Sequence, residues 1–265
     1  MSRESDSAVG SAGKYGAEFA EVYDSIFPPM TLVPGSSEWL AAQLPEADAP
    51  HLLELGVGIG RVLLPLTQLL VGQGRHPVSM GIDASPEMIE ILRKTDESGL
   101  IDSAIADIAV LRPEEKYDLI LCVCATISII TDPLAQRAVF ANAAGALAPH
   151  GRLVVETHHD VAIRSMFGPL NTVKYMIPYP EPGTALATFG TLEAEIWTVQ
   201  HVWITPTEIK RLSEVSRLTS NAELDGYAET AGLHLISRHS DLAGHTFDEQ
   251  SVISVSVYAH EGDVQ

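Results

Sequence analysis

The chain has 265 residues, with 16 basic and 35 acidic side chains and a net charge of −19. Because such a surface repels phosphate backbones, we expect no nucleic-acid partner. The length allows one domain with an insertion, or at most two domains. Two cysteines are too few for a disulfide framework, and no apolar run approaches the roughly 18 residues of a membrane span.

The first 13 residues are polar and lack the charged and apolar regions of a signal peptide. We therefore expect a disordered tail at 1–13 and a cytoplasmic protein without membrane association. Apolar residues at helical spacing then predict a helix from Tyr15 to Phe27 and a shorter one from Ser36 to Leu44. These helices form a predicted N-terminal cap over 14–45.

Strands and helices alternate in the middle of the chain. The predicted strands cover 51–55, 78–82, 101–105, 117–123 and 152–158, and the predicted helices cover 60–71, 86–94 and 132–147. Such alternation predicts a parallel sheet with helices on both faces. Ligands of such sheets bind at the carboxyl ends of the strands, so we expect a ligand-binding core over 46–160.

The C-terminal part departs from this alternation. A proline-rich loop at 178–183 precedes three β-prone stretches, 185–189, 192–201 and 202–204, which predict an inserted antiparallel sheet within 161–219. A helix is predicted over Asn221–Ala231, ending at Gly232. Strands at 233–237 and 251–259 then form a terminal antiparallel pair, which returns the chain to the core over 220–265.

The segment HLLELGVGIGR from His51 to Arg61 carries the clearest chemical signal. Gly56, Gly58 and Gly60 follow a buried strand, and a glycine turn lets a ligand approach the backbone because no Cβ intervenes. The dinucleotide pattern is G-x-G-x-x-G, whereas the spacing here is G-x-G-x-G. It favours a nucleoside carrying an amino acid, although a structural turn and a nicotinamide oxidoreductase remain alternatives.

Two further acids follow the next strands in order. Asp83 ends the second strand, where an acid can bind both ribose hydroxyls, and Ser85 with Pro86 marks the start of a helix. Asp107 follows the third strand. A dinucleotide site could account for Asp83, but it offers no reason for Asp107.

Together these motifs resemble those of class I S-adenosylmethionine-dependent methyltransferases. E-L-G-x-G-x-G-R is similar to the first motif of the family, G-I-D-A-S-P-E-M-I-E is similar to the second, and Asp107 stands where the family places a carboxylate against the adenine amine. The resemblance implies an α/β, Rossmann-like, seven-stranded and mostly parallel sheet with an antiparallel last strand. The inserted β lid resembles that of small-molecule N-methyltransferases acting on amino sugars. The competing interpretations are that this sheet forms a homodimer surface or covers an edge strand.

The resemblance also implies the cofactor, S-adenosylmethionine, and the residues that bind it. Tyr23 would cover the methionine part, with Tyr15 a weaker candidate.

The sequence departs from the family pattern at two places. I-A-V-L follows Asp107 where the family has an acidic-aromatic segment, and A-T-I-S after the fourth strand argues against nucleobase or glutamine-amide methylation. The expected cofactor-binding residues are Tyr23, Glu54, Gly56, Gly58, Gly60, Arg61, Asp83, Ala84, Met88, Asp107, Ile108 and Cys124.

Methyl transfer requires alignment of the nucleophile with the methyl carbon in a dry site, and the cofactor supplies the reactivity. Amines need only arrive deprotonated, whereas hydroxyls need a base. Thr126 is expected beside the sulfonium, and His158 or His159 is the candidate base, although adjacent strand residues face opposite ways. Glu193, Glu195 and His201 are candidates for facing inward from the lid. No metal is expected.

The predicted function is methyl transfer to an amine of a small metabolite, such as an amino sugar, another amine or a short modified peptide in secondary metabolism. Two alternatives remain open. One is an O-methyltransferase of a small natural product that uses a histidine base. The other is a protein that binds S-adenosylmethionine without catalysis.

Overall fold

The structure is a computed structural model that describes residues 15–27 and 32–262. The predicted disordered tail at 1–13 lies outside the described residues. The N-terminal part is helical over 15–19, continues as a 3₁₀ turn at Ala20–Val22 and ends in a helical turn at Tyr23–Ile26. We call 15–26 the N-terminal helical segment.

The described helices and strands follow the predicted order in the core. The strands are β1 (His51–Leu55), β2 (Val78–Asp83), β3 (Ile101–Ile105), β4 (Tyr117–Cys122), β5 (Leu147–His158), β6 (Thr172–Pro178), β7 (Ala185–Glu193), β8 (Ile196–Ile204), β9 (Ile209–Arg217), β10 (Leu233–His239) and β11 (Ile253–His260). The helices are α1 (Ser36–Ala41), α2 (Leu63–Gly72), α3 (Pro86–Thr95), α4 (Thr126–Ile129), α5 (Pro133–Ala146), α6 (Asp160–Met166) and α7 (Asn221–Thr230). Within the described part, none of the helices is long and apolar enough to cross a membrane.

The core is a seven-stranded sheet in the order β3-β2-β1-β4-β5-β11-β10. Strands β1 to β5 pair in parallel, while β11 runs antiparallel to both of its neighbours, β5 and β10. The predicted α/β sheet with an antiparallel last strand is confirmed. The carboxyl ends of β1 to β5 therefore meet at one edge, which is where a ligand site is expected.

Alternating side chains of β1 bury against opposite faces of this sheet, as the two-residue period of a strand requires. Leu53 packs with Phe140 of α5 on one face, and Leu52 packs with Leu66 of α2 on the other. Because helices cover both faces, the parallel strands can be apolar throughout.

Local capping explains where several helices begin. Ser85 accepts a hydrogen bond from the backbone of Met88 at 3.2 Å, with Pro86 in the first turn of α3 as predicted. Helix α2 begins at Leu63, later than predicted, because the glycine turn extends through Gly60, whose φ is 85°.

The insertion forms a separate four-stranded antiparallel sheet in the order β6-β7-β8-β9. The sequence analysis missed its two outer strands, β6 and β9. Most of β6 is exposed on both faces, and β9 reads I-K-R-L-S-E-V-S-R, so neither strand has the simple apolar alternation by which a half-buried strand is recognised. The strand predicted over 192–201 is also wrong in its start, because a turn at Ala194, with a φ of 54°, separates β7 from β8.

Candidate active site

A glycine loop connects β1 to α2 and leaves its backbone accessible. The amides of Gly56 and Val57 both donate to the carbonyl of Ile82 on β2, at 2.7 and 2.9 Å. Gly56 and Gly58 have φ values of 77° and 53°, which glycine adopts without steric cost. A Cβ at Gly58 would have no neighbour within 4 Å, so the loop faces open space at that point.

Glu54 fixes the base of this loop. The backbone N–H of Leu63, the first residue of α2, donates to the buried Glu54 carboxylate at 3.0 Å. Burial raises the pKa of Glu54 well above its ordinary value, and this hydrogen bond opposes the shift only partly. The Glu54 carboxylate thus holds the end of the glycine turn against the start of α2.

Asp83 lies between the glycine loop and α3. Its Oδ2 accepts from the amide of Gly58 and its Oδ1 accepts from the amide of Ser85, both at 2.8 Å. Burial raises the pKa of Asp83, and these amide hydrogen bonds act in the opposite direction. The carboxylate is thus held in one orientation at the edge of the sheet.

Asp107 is held in a similar way after β3, where the backbone N–H of Ala109 donates to its Oδ1 at 2.8 Å. Ile108 beside it is buried. The I-A-V-L segment that departs from the family pattern therefore places an apolar side chain next to the acid.

These residues surround a first cavity of about 1070 Å³, including its opening to solvent. Thr126 and every expected cofactor-binding residue except Gly60 line it. Gly60 instead permits helix packing, because a Cβ there would lie 2.4 Å from Cδ1 of Leu92 on α3. The sequence analysis did not identify the remaining lining residues, Gly16, Val57, Ile59, Ala106, Ala109, Ile129, Ile130, Thr131 and Ala135.

The turn after β4 brings a backbone amide into the site. Cys124 and Ala125 have positive φ values of 54° and 58°, a conformation that costs a non-glycine residue about 1–2 kcal/mol. In this conformation the Cys124 amide donates to Oε2 of Glu156 at 2.6 Å. The methyl of Thr126 packs against Gly56, where an added Cβ would lie 2.3 Å away.

Tyr15 and Tyr23 of the N-terminal helical segment separate the first cavity from a second one, and both line both cavities. Burial raises the pKa of each phenol above its ordinary value, so both remain hydrogen-bond donors. Arg61 hydrogen-bonds the Tyr23 side chain, and its guanidinium lies 6.0 Å from the ring centroid of Phe27.

The second cavity lies between the carboxyl edge of the core sheet, the N-terminal helical segment and the inserted sheet. It encloses about 1250 Å³, including its opening. Three acids, Glu156, Glu214 and Asp241, line it together with the neutral polar side chains of His158, His201 and Tyr175. Burial lowers the pKa of each of these histidines to about 4, so both are uncharged near neutral pH.

The two adjacent histidines at the end of β5 face different surroundings, as expected. His158 lines the second cavity, and its buried Nδ1 has no hydrogen-bond partner. His159 lines neither cavity: its Nδ1 lies 2.8 Å from the carbonyl of Ser251, and its ring packs against Phe247. The structure thus contradicts the choice of His159 as a base and leaves His158.

The inserted sheet presents different acids from those expected. Glu193 and Glu195 are exposed at the turn between β7 and β8, so the expectation that they face inward is wrong. His201 lines the cavity as expected, and Glu214 of β9 is the acid that lies beside it. The sequence analysis missed Glu214 because β9 was not predicted, and missed Asp241 because it lies in the long connection between β10 and β11.

A glycine loop and two acids at the carboxyl ends of parallel strands form a site of the kind that binds nucleosides and nucleotides. Residues 52–151 match the family described as "Methyltransferase domain". No curated protein sequence matches the chain significantly. Among solved structures, the CcbJ methyltransferase from Streptomyces caelestis is similar with a TM-score of 0.81 and 25% identity, over 94% of this chain and 98% of that one.

Two further structures share the fold. A S-adenosylmethionine-dependent methyltransferase from Clostridium acetobutylicum matches with a TM-score of 0.74 and 17% identity, over 93% of this chain and 99% of that one. CalS10, an amino pentose methyltransferase from Micromonospora echinaspora, matches with a TM-score of 0.66 and 18% identity, over 89% and 96%.

Residues 52–151 match a methyltransferase domain, and the protein is an S-adenosylmethionine-dependent methyltransferase whose cofactor is S-adenosylmethionine. This identification decides against the nicotinamide oxidoreductase.

Proposed function

We propose that the protein transfers a methyl group to an amine nitrogen of a small metabolite. The observation that carries the proposal is the second cavity, which is rich in acids and directly adjoins the first. The two cavities share Tyr15, Tyr23, Arg61, Cys124 and Ile129. The two cavities therefore meet at these residues, so the nitrogen of an acceptor in the second cavity can approach a methyl group held in the first.

The residues around the first cavity fit S-adenosylmethionine. When bound, this cofactor supplies an electrophilic methyl carbon on a sulfonium. Each Asp83 oxygen accepts one amide hydrogen bond and keeps acceptor capacity for a ribose hydroxyl. Asp107 and Ile108 would receive the adenine, with Ala84 and Met88 along the wall. The missing Cβ of Gly58 leaves room beside Asp83.

The methionine end would lie toward the second cavity. Tyr23 would cover it there, while Thr126 and the Cys124 turn would lie beside the sulfonium. In the transfer, the amine lone pair forms the new N–C bond as the C–S bond breaks with its electron pair moving to sulfur. The methylated nitrogen then releases a proton to water. The chain's contribution is alignment and exclusion of water.

The low basicity of His158 favours an amine acceptor over a hydroxyl acceptor. Burial lowers its pKa to about 4, which makes it a weak base for an alcohol. A neutral amine, in contrast, needs no base in order to attack. The amino pentose methyltransferase among the similar folds supports the same choice, and also a role in secondary metabolism.

The test is an assay of S-adenosylhomocysteine release with a panel of small acceptors in matched pairs. Each amino sugar or short peptide amine is paired with its hydroxyl counterpart, and the site of methylation is read by mass spectrometry. We expect methylation at nitrogen. Methylation confined to the hydroxyl compounds would overturn the proposal.

O-methylation is the second candidate, and the observation that favours it is the unpartnered Nδ1 of His158 in the cavity. If His158 were the base, His158→Gln would abolish turnover at all pH values. Rates near those of the unmodified protein would remove this mechanism.

The predicted homodimer through the inserted sheet also remains a proposal. It is supported by the outer face of that sheet, where Phe189 and Val215 are exposed.

A further inference from the structure

The three acids of the second cavity differ in what already balances their charge. Burial raises the pKa of Glu156, while two partners act in the opposite direction: the Cys124 amide, which donates to Oε2 at 2.6 Å, and the positive charge of Arg61. For Asp241, the His245 ring lies 2.7 Å from the carboxylate and the Ala243 amide donates at 2.9 Å. Both acids therefore have partners that stabilise a negative charge.

Glu214 has fewer partners that stabilise a negative charge. The Ser216 hydroxyl donates to its Oε1 at 2.5 Å, and among the described residues no basic side chain forms an ion pair with it. Burial raises the pKa of Glu214 above its ordinary value, and only the Ser216 hydrogen bond acts in the opposite direction, without the basic side chain that Glu156 has nearby. A cation placed beside Glu214 would remove that penalty.

Glu214 also lines the second cavity from the inserted sheet. It lies on β9 opposite Val199 of β8, and both side chains line the second cavity. Tyr15, which lines both cavities, lines the second one together with Glu214; the pKa of the Tyr15 phenol is raised by burial and, to a smaller extent, by the charges of Tyr23 and Glu214. A group bound by Glu214 is therefore close to the methyl donor.

A second, independent observation indicates a polar occupant. The Nδ1 atom of His158 is buried, lacks a hydrogen-bond partner and belongs to the same cavity. A buried polar atom without a partner costs free energy, and a neutral imidazole nitrogen can accept from an N–H or O–H group. An occupant with several donors would satisfy both His158 and Glu214.

The same cavity disfavours phosphate. Among its described lining residues Arg61 is the sole basic side chain, and Arg61 hydrogen-bonds Tyr23. A phosphate or diphosphate group would instead meet three carboxylates in a partly desolvated space, where like charges repel strongly. The charge distribution selects for a cation and against a nucleotide-linked compound.

We propose that Glu214 is the specificity-determining residue for the acceptor, that it binds the acceptor's ammonium group, and that the acceptor enters as a phosphate-free amine. This inference rests on the proposed amine methylation. The ammonium loses its proton to water before transfer, so Glu214 acts mainly on acceptor affinity. Glu214→Gln should therefore raise KM for the acceptor and change kcat little.

The experiment measures binding to protein saturated with S-adenosylhomocysteine. Calorimetry compares an amino-sugar methyl glycoside with its hydroxyl counterpart and its nucleoside-diphosphate-linked form, and a short peptide with its N-acetylated form. The variants are Glu214→Gln, the charge-retaining Glu214→Asp, and Glu193→Gln as a matched control, because Glu193 is an exposed acid on the same sheet. Unchanged S-adenosylhomocysteine affinity verifies that each variant is folded.

We expect the free amines to bind the unmodified protein roughly tenfold or more tightly than their neutral counterparts, as for one hydrogen-bonded ion pair. Glu214→Gln should remove this preference, while Glu214→Asp and Glu193→Gln should retain it. Three results would each overturn the inference: no preference for amines in the unmodified protein, tighter binding of the nucleotide-linked form, or an undiminished preference in Glu214→Gln. If amines are methylated under any of these results, the proposed function survives and the role of Glu214 alone fails.

Discussion

The first and second cavities share a wall but are built in different ways. The first consists mostly of short motifs at the carboxyl ends of β1, β2 and β3, and backbone amides hold its acids in place, as with Gly58 and Ser85 at Asp83. The second is assembled from side chains of distant segments, including Glu156 on β5, Glu214 on β9 and Asp241 after β10.

This difference in construction separates cofactor binding, which stays the same, from acceptor binding, which can vary. A site made of backbone and strand ends is specified by the fold itself, so it suits a cofactor that does not change. A site made of side chains on an inserted sheet can change residue by residue without altering the core, which suits the choice of acceptor. Variants in the first cavity should therefore affect cofactor binding, and variants in the second should leave it intact.

The largest expected effect is that of Asp83→Ala. It removes two charge-assisted hydrogen bonds to ribose, each worth about 1.5–3 kcal/mol, so affinity for S-adenosylmethionine should fall about 100-fold or more. Calorimetry measures this, with Asp102→Ala on the exposed side of β3 as the control. Unchanged affinity in Asp83→Ala would disprove the ribose assignment.

Gly56→Ala should have the next largest effect. The positive φ costs about 1–2 kcal/mol, and the clash with Thr126 adds about 1–3 kcal/mol. We therefore expect a loss of about 2–5 kcal/mol in the free energy of unfolding, with weaker cofactor binding. Gly74→Ala is the matched control, since its φ of 81° is similar and no atom lies within 4 Å of the added Cβ. If Gly56→Ala and Gly74→Ala lose equal stability in urea denaturation, the close contact between Gly56 and Thr126 does not require a glycine.

Replacing His158, which lines the second cavity, should have a smaller effect, on the pH dependence of stability. Its pKa of about 4 in the folded protein lies below the ordinary value of about 6.5, so the unfolded chain binds the extra proton first. The contribution of neutral His158 to stability is therefore complete above about pH 6.5 and is lost as the pH falls toward 4. His158→Gln should lose about 2 kcal/mol less stability than the unmodified protein between pH 7 and pH 5.

Urea denaturation at the two pH values measures this difference. His76→Gln, in which an exposed histidine is replaced, should behave like the unmodified protein. Cofactor affinity at pH 7 should be the same in all three proteins, and a loss in His158→Gln would mean that the two cavities are not separable.

The smallest expected effect lies outside both cavities. Ser220 and Glu223 form a reciprocal capping box at the start of α7, which returns the chain from the inserted sheet to the core. Ser220→Ala should lower the free energy of unfolding by about 1 kcal/mol and change neither cofactor nor acceptor affinity. A change in acceptor affinity would show that the inserted sheet depends on α7 for its position.

The sequence alone determined most of the core and of the first cavity. The alternation of strands and helices, the glycine loop, Asp83 and Asp107 are local patterns, and parallel strands bring their carboxyl ends together whatever the rest of the chain does. The surroundings of Gly60 could not be predicted in this way: it lies outside the lining of the first cavity, and its closeness to Leu92 depends on how α3 packs.

The tertiary structure alone decided the second cavity. Which of His158 and His159 faces it depends on the side of the β5 end at which the inserted sheet packs, where His158 contacts Trp197 of β8. Glu214 could be placed in the cavity only from the pairing of β9 with β8. Glu193, Glu195 and Glu214 are all glutamates in or beside strands of the inserted sheet, so the neighbouring sequence does not distinguish the exposed pair from Glu214. The pairing of β9 with β8 places Glu214 at the cavity and leaves Glu193 and Glu195 exposed to water. A local sequence pattern cannot predict this difference.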